Sequence, residues 1–137
     1  MNDVIINYWA VLVAGVANMA VGFLWYGPLF GRTWKGLMGF TDESIKSMKM
    51  TPAMSMAGGF IVSLIMAYVL AIFISIFGVW DIKSALYLTC WIWLGFLATN
   101  TIGSYLWEGK PFKLFLLNSI EQFVAVNIMA VILVMWQ

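Results

Sequence analysis

Residues 53–77, AMSMAGGFIVSLIMAYVLAIFISIF, contain no charged side chain and decide the fold class. About 20 apolar residues in a helix, at a rise of 1.5 Å each, cross the hydrocarbon core of a bilayer, which is about 30 Å thick. Three further stretches are long and apolar, two of them without charge and the last with Glu121 in its interior, so the sequence predicts an all-α integral membrane protein with a single transmembrane domain over residues 1–137. We predict four transmembrane helices near residues 4–26, 53–77, 84–107 and 112–135.

The composition of the whole chain agrees with this prediction. Of the 137 residues, 64% are hydrophobic and 9% are charged, whereas about 25% of residues in soluble domains are charged. A small soluble domain cannot bury this much apolar surface, which excludes soluble enzymes, nucleic-acid-binding proteins and disordered chains. The chain has no His and one Cys, so His and Cys metal clusters and Cys–His catalytic pairs are excluded as well. We expect no enzymatic activity, no metal and no cofactor.

The charged residues between the predicted helices indicate the topology. Six basic residues lie in loop 27–52 or beside the turn between the third and fourth helices, and only Lys83 lies on the opposite side. Basic residues are enriched in loops on the cytoplasmic side of a membrane. We therefore expect a multi-pass protein of the cytoplasmic (inner) membrane, with loop 27–52 in the cytoplasm and both termini outside. The six basic residues are Arg32, Lys35, Lys46, Lys49, Lys110 and Lys113.

A pattern of two Trp, one Asn and one Gly occurs twice with the same spacing. It is formed first by Trp9, Asn18, Trp25 and Gly27, and again by Trp91, Asn100, Trp107 and Gly109. The repeat predicts two helical hairpins in the same orientation, related by a pseudo-two-fold axis along the membrane normal. The two copies are unequal, because the first contains a long loop and the second a short turn.

The residues around this pattern resemble a known family. The relevant stretches are FLWYGPLFG at residues 23–31, LMGFT at 37–41 and GSYLWEGKPF at 103–112, together with Trp34. Over nearly its whole length the chain is similar to the domain-of-unknown-function 1761 family of small, mainly bacterial membrane proteins. The resemblance implies a fold of four transmembrane helices, and it implies no particular activity.

Five polar residues of the predicted helices lie at a similar depth in the membrane. Polar side chains in lipid are costly unless they are partnered, so their coincidence at one depth predicts a site where they meet. We predict a ligand- or ion-binding site, and the alternative is a layer of structural hydrogen bonds. The five residues are Glu121, Asn18, Asn100, Asn118 and Gln122.

Glu121 is the one charged residue deep within a predicted helix. An acid at the centre of a membrane costs about 2.5–3.5 kcal/mol on insertion scales. No basic residue lies at its depth, and Lys113 is about 12 Å away along the helix axis. Three states of Glu121 are therefore open: protonated and hydrogen-bonded, ionised beside a cation or water, or satisfied by another subunit.

Small residues recur at every fourth position of the second helix. Small side chains let helix backbones approach closely, so this stripe predicts helix packing, either within the chain or across a dimer. A ligand groove is the alternative interpretation. The stripe consists of Ser55, Gly59, Ser63, Ala67, Ala71 and Ser75.

Two functions are compatible with these features. The first is a small oligomeric transporter or channel-like protein with a polar layer around Glu121. Four helices enclose little volume, so a pathway favours a homo-oligomer, most simply a dimer. The second is a non-transporting membrane scaffold or lipid-associated subunit. In both cases membrane lipids are partners, and we interpret aromatic residues such as Tyr26 and Trp34 as an interfacial belt that contacts those lipids.

Overall fold

The computed structural model describes residues 4–137, and these residues form helices and connecting turns without a β-strand. Four helices are long and apolar enough to cross a membrane, which confirms the predicted all-α class with four candidate transmembrane helices. We call them spans 1 to 4, and they comprise Tyr8–Leu29, Pro52–Ile76, Ile82–Leu106 and Phe112–Met135. Residues 1–3 of the predicted domain lie outside the described residues.

Spans 1 and 3 are interrupted by π-helical segments, and spans 2 and 4 are single α-helices. Two short helices, α2 and α3, lie in the connection between spans 1 and 2. The elements in chain order are α1 (Tyr8–Leu24), a π-helical turn (Trp25–Leu29), α2 (Gly31–Met38), α3 (Asp42–Lys46), α4 (Pro52–Ile76), α5 (Ile82–Ile92), a π-helical segment (Trp93–Ala98), α6 (Thr99–Thr101), α7 (Gly103–Leu106) and α8 (Phe112–Met135).

Side-chain oxygens determine where the first three spans begin. Asn7 Oδ1 accepts hydrogen bonds from the backbone N–H groups of Trp9 and Ala10, at 3.0 and 3.4 Å, and the helix therefore begins at Tyr8 rather than near residue 4. Thr51 and Asp81 cap spans 2 and 3 in the same way. Each cap satisfies an N–H group that the helix itself leaves without a partner.

Gly27 and Pro28 do not end the first helix near residue 26, contrary to the prediction. The chain passes through them in a π-helical turn, in which the Phe30 N–H donates to the Trp25 carbonyl oxygen at 2.8 Å. A proline ring clashes with the carbonyl four residues earlier in an α-helix, and the wider π-helical turn accommodates it. Span 1 therefore continues to Leu29, and the chain then turns at Phe30 into α2.

The four spans pack in the order 2–1–4–3. Span 1 packs against spans 2 and 4, and span 4 packs against span 3. Spans 3 and 4 are joined by hydrogen bonds: Thr89 Oγ1 donates to Asn127 Oδ1 at 2.6 Å. Trp93 Nε1 donates to the Ser119 carbonyl oxygen at 2.8 Å, and Thr101 Oγ1 donates to Gln122 Oε1 at 3.0 Å. Spans 2 and 3 line opposite walls of an apolar cleft. The two hairpins are thus not packed equivalently, and the duplicated hairpin stays a prediction from the sequence pattern.

The apolar core lies at the end of the bundle that carries the first and last of the described residues. At this end Asn7 Nδ2 donates to the Trp136 carbonyl oxygen, and Gln137 Nε2 donates to that of Val79. We call it the terminus side, and we call the opposite end, with α2 and α3, the loop side. The core is rich in alanine, which allows the helices to approach closely. Its residues in spans 1, 2 and 4 are Ala10, Val11, Ala14, Ala67, Leu70, Ala71, Ile74, Val126, Met129, Ala130, Leu133 and Val134.

Gly31 allows the close turn from span 1 into α2. A Cβ atom at Gly31 would lie 2.9 Å from the Tyr26 carbonyl oxygen, whereas a Cβ atom at Gly27 would meet no atom within 4 Å. We expect Gly31→Ala to destabilise the protein by about 1–3 kcal/mol, because backbone must move to admit the methyl group. The Gly27→Ala variant, as the control, should melt like the wild type in detergent. Equal melting of both variants would show that the approach to Tyr26 does not constrain the turn.

The cap of span 3 makes stability depend on pH. Hydrogen bonds from the Ser84 hydroxyl and backbone N–H hold the pKa of Asp81 below its ordinary value. A carboxyl group with a lowered folded-state pKa stabilises the fold above its unfolded-state pKa, and this contribution is lost as the pH falls through the folded-state pKa. Between about pH 6 and about pH 3, the wild type should therefore lose more thermal stability than Asp81→Asn. Parallel melting profiles of the two proteins across this range would contradict this role of Asp81.

Candidate functional site

A cleft of about 580 Å³ lies between spans 1, 2 and 4 on the loop side of the core. Trp34 of α2 and Ser55 in the first turn of span 2 belong to its walls, so the cleft extends to the loop end of the bundle. We call it the polar cleft. Its lining residues are Asn18, Met19, Gly22, Phe23, Tyr26, Trp34, Ser55, Gly59, Val62, Ser63, Met66, Leu97, Glu121, Gln122 and Ala125.

Glu121 faces the polar cleft from span 4, and its residue surface is only 9% exposed. Span 4 places it near mid-helix, about 13 Å along the axis from Phe112. Among residues 4–137, none donates a hydrogen bond to the Glu121 carboxyl group or forms an ion pair with it. A polar group without a partner in an apolar environment is costly. The arrangement therefore favours a ligand or ion that enters the cleft and pairs with the Glu121 carboxyl group.

The polar side chains around Glu121 are paired with one another. Asn18 Nδ2 donates to Ser63 Oγ at 2.7 Å, which links spans 1 and 2. Thr101 Oγ1 donates to Gln122 Oε1 at 3.0 Å, which links spans 3 and 4. These bonds fix the amide side chains beside Glu121 while leaving its carboxyl group facing the cleft.

Tyr26 connects the polar cleft to a second pocket. Its hydroxyl group donates to Asn118 Oδ1 at 2.7 Å, and its ring packs against Trp34 with the ring centroids 5.4 Å apart. Two aromatic rings therefore stand in the cleft wall that also contains Glu121. The second pocket has a volume of about 400 Å³ and is lined by Asn100, Thr101, Gly103, Ser104, Trp107, Glu108 and Asn118.

The structure brings together three of the five predicted site residues. Asn18, Glu121 and Gln122 line the polar cleft, whereas Asn100 and Asn118 line the second pocket. Asn100 is exposed and lies just beyond the π-helical segment of span 3. A π-helical turn adds a residue to the helix and rotates the residues beyond it, so the helical spacing used for the prediction does not give the direction of Asn100.

Sequence reasoning missed Tyr26, Trp34 and Ser63 as residues of the cleft wall. Tyr26 and Trp34 fit an interfacial aromatic belt as well as they fit a cleft wall. The direction in which the Tyr26 side chain points also depends on the π-helical turn, which the sequence does not indicate. The spacing of small residues places Ser63 in the packing stripe, yet its hydroxyl group accepts a hydrogen bond from Asn18. A serine and an asparagine at one depth on neighbouring helices were the available signal for this contact.

The stripe of small residues in span 2 lies in two different environments. Ser63, Ala67 and Ala71 are buried within the chain, on the side that packs against span 1. Gly59 lies beside Met19 of span 1, where an added Cβ atom would come within 3.4 Å of the sulfur. Ser55 and Gly59 also line the polar cleft, so the part of the stripe near the loop side borders open space rather than a helix.

An apolar cleft of about 480 Å³ adjoins the polar cleft between spans 2 and 3. Val62, Met66 and Leu97 belong to the walls of both clefts. All of the residues that line the apolar cleft have hydrocarbon or thioether side chains. They are Val62, Ile65, Met66, Val69, Leu70, Phe73, Ile92, Leu97 and Val126.

Comparisons with known proteins give a family without an assigned activity. No curated protein and no solved structure matches the chain. Within residues 4–137, no three His, Cys, Asp or Glu side chains are grouped so that they could hold a metal ion. The sequence matches one family over residues 9–134, and that family is described as a protein of unknown function, DUF1761. This match covers most of the chain, and the protein therefore belongs to the DUF1761 family.

Proposed function

We propose that the protein is a small membrane transporter or channel-like protein in which Glu121 binds a proton or another cation. The observation that carries this proposal is the carboxyl group of a largely buried residue, which faces a cleft of about 580 Å³ and has no hydrogen-bond or ion-pair partner among residues 4–137. Ionisable groups at membrane depth are functional-site candidates by default, because their cost must be offset by a role.

The two ends of the bundle support a pathway that is accessible from one side. The polar cleft extends from Glu121 to Trp34 and Ser55 on the loop side. On the terminus side, the path is filled by core residues such as Ala14, Ala67 and Met129, each with a residue exposure of 0%. A cation therefore reaches Glu121 from the loop side, and its release on the other side requires the spans to move against one another, as in alternating access.

The orientation and the oligomer follow from general properties of membrane proteins. The excess of basic residues on the loop side favours the cytoplasm for that side, with both termini outside the inner membrane. The polar cleft is lined by one copy of the chain and extends to Trp34 and Ser55 at the loop end. A homo-oligomer, most simply a dimer, would supply additional walls for a complete pathway.

A membrane scaffold is the second candidate function. Polar contacts between helices contribute about 0.6–2 kcal/mol each in membranes, and this chain contains several of them. However, the central small residues of span 2, Ser63, Ala67 and Ala71, are already buried within the chain. They offer no surface for a partner protein, and the unpartnered acid therefore favours transport over a scaffold.

Flux through proteoliposomes tests the proposal. We expect purified wild-type protein to carry protons, alkali cations or organic cations, and Glu121→Gln to reduce that flux by about tenfold or more, because an amide neither ionises nor pairs with a cation as a carboxylate does. Glu43→Gln is the matched control, since Glu43 is exposed on α3 and should leave the flux unchanged. Equal flux through wild type and Glu121→Gln, or no flux of these solutes in either, would refute the proposal.

A further inference from the structure

We infer that the substrate is an amphiphilic organic cation, whose charged centre pairs with Glu121 in the polar cleft and whose apolar body lies in the apolar cleft between spans 2 and 3. This inference rests on the proposed function, because it names the substrate class of the same site. It depends on three features of the structure: the shared wall of the two clefts, the carboxyl group in one of them and the apolar lining of the other.

The two clefts adjoin and differ in chemistry. Val62 and Met66 of span 2 and Leu97 of span 3 contribute to the walls of both, so side chains rather than a whole helix stand between the clefts. Along span 2, the distance from Val62 to Phe73 at the far end of the apolar cleft is about 16 Å. Each cleft has a volume in the range of about 300–1,000 Å³ that is typical of sites for drug-sized molecules.

The polar end is suited to positive charge. Glu121 is the acid in the cleft wall, and no Lys or Arg of the described part of the chain lines that cleft. The rings of Tyr26 and Trp34 stand in the same wall, and aromatic faces attract cations, most strongly where water is excluded. A neutral head group would leave the charge of the Glu121 carboxylate uncompensated. An anionic head group would be repelled by that carboxylate.

The same wall is poorly suited to a bare metal ion. Hard cations such as Ca²⁺ take six to eight oxygen ligands, and Mg²⁺ requires an octahedral shell. Glu121 supplies the one carboxyl group among the residues that line the polar cleft, and the remaining side-chain oxygens there are neutral amides and hydroxyls. An organic cation needs fewer oxygen ligands, because its charge is spread over a larger volume and its carbon groups contact apolar side chains.

The apolar end is suited to a hydrocarbon body rather than to water. Its nine lining residues present hydrocarbon and thioether groups, including Val69 and Phe73 of span 2 and Ile92 of span 3. A ligand that extends into this cleft makes van der Waals contacts that its head group alone does not make, and these contacts add to its affinity. The site therefore selects for molecules with both a positive charge and an apolar body.

Binding of tetraphenylphosphonium to the purified full chain in detergent tests the inference, measured by equilibrium dialysis. Two reference compounds separate the two requirements: tetramethylammonium has the charge without the large apolar body, and triphenylphosphine oxide has aromatic rings without net charge. We expect both to bind at least about tenfold more weakly than tetraphenylphosphonium. Glu121→Gln should weaken tetraphenylphosphonium binding by at least about tenfold, because it removes one partner of a buried charge pair.

A pair of tryptophan variants tests where the apolar body lies. Val69 lines the apolar cleft and is 42% exposed, whereas Ile61 is 58% exposed on the same span and lines neither cleft. Val69→Trp should fill the apolar cleft and weaken tetraphenylphosphonium binding by about tenfold, and Ile61→Trp should leave it unchanged. Both positions are exposed, so both variants should fold, and their melting temperatures in detergent check this.

The outcomes distinguish this inference from the proposed function. Binding of tetraphenylphosphonium that is unchanged in Glu121→Gln overturns the role of the charge. Equal binding by the Val69→Trp and Ile61→Trp variants overturns the position of the apolar body. Proton flux that depends on Glu121, without any tetraphenylphosphonium binding, overturns the substrate class and leaves the proposed transport intact. Binding that depends on Glu121, without flux of any tested cation, supports the ligand class and overturns transport.

Discussion

The free energy of polar groups in hydrocarbon is the constraint on which the arrangement of the four spans depends. Lipid tails offer no hydrogen-bond partner, so polar groups at membrane depth must be satisfied within the protein. The bond from Asn18 to Ser63 joins spans 1 and 2, and the bond from Thr89 to Asn127 joins spans 3 and 4. Span 1 meets span 4 through the bond from Tyr26 to Asn118. Glu121 is not part of this pairing, and neither are the buried Trp25 Nε1 and Ser119 Oγ atoms; of the three residues, Glu121 is the one that lines the polar cleft.

The bundle is divided into a packed half and an open half. Alanines such as Ala10, Ala14 and Ala130 bring the helices together on the terminus side, where they are almost completely buried. On the loop side, the walls of the polar cleft carry larger or polar groups, including Phe23 and Gln122. The packed half holds the helices in register. The carboxyl group of Glu121 lies near the boundary between the two halves. Four spans are therefore enough to place a carboxyl group of a largely buried residue beside an open cleft.

The number and approximate extent of the spans could be predicted from the sequence, because uncharged runs between charged loops report directly on membrane crossing. The grouping of Asn18, Glu121 and Gln122 could also be predicted, since all three lie in regular helices at a common depth. The position of Asn100 could not, because the preceding π-helical segment changes its direction. The position of Tyr26 in the cleft wall could not be predicted for the same reason. Gly27-Pro28 is typical of the end of a helix, and the sequence does not indicate that the chain continues there in a π-helical turn. The order in which the spans pack depends on contacts between distant residues, which helical periodicity does not report.

The π-helical turn at Trp25–Leu29 also determines which changes in chain length the protein tolerates. Removing one residue there would restore α-helical spacing and rotate the later residues by about 100° around the axis. That rotation would move Phe30 away from Trp25, whose ring centroid lies 4.6 Å from that of Phe30, and it would displace the Gly31 turn. The connection between α2 and span 2 is exposed and has no comparable restriction. Relatives of different length should therefore gain or lose residues around α3, and the nine residues from Phe23 to Gly31 should keep a constant length.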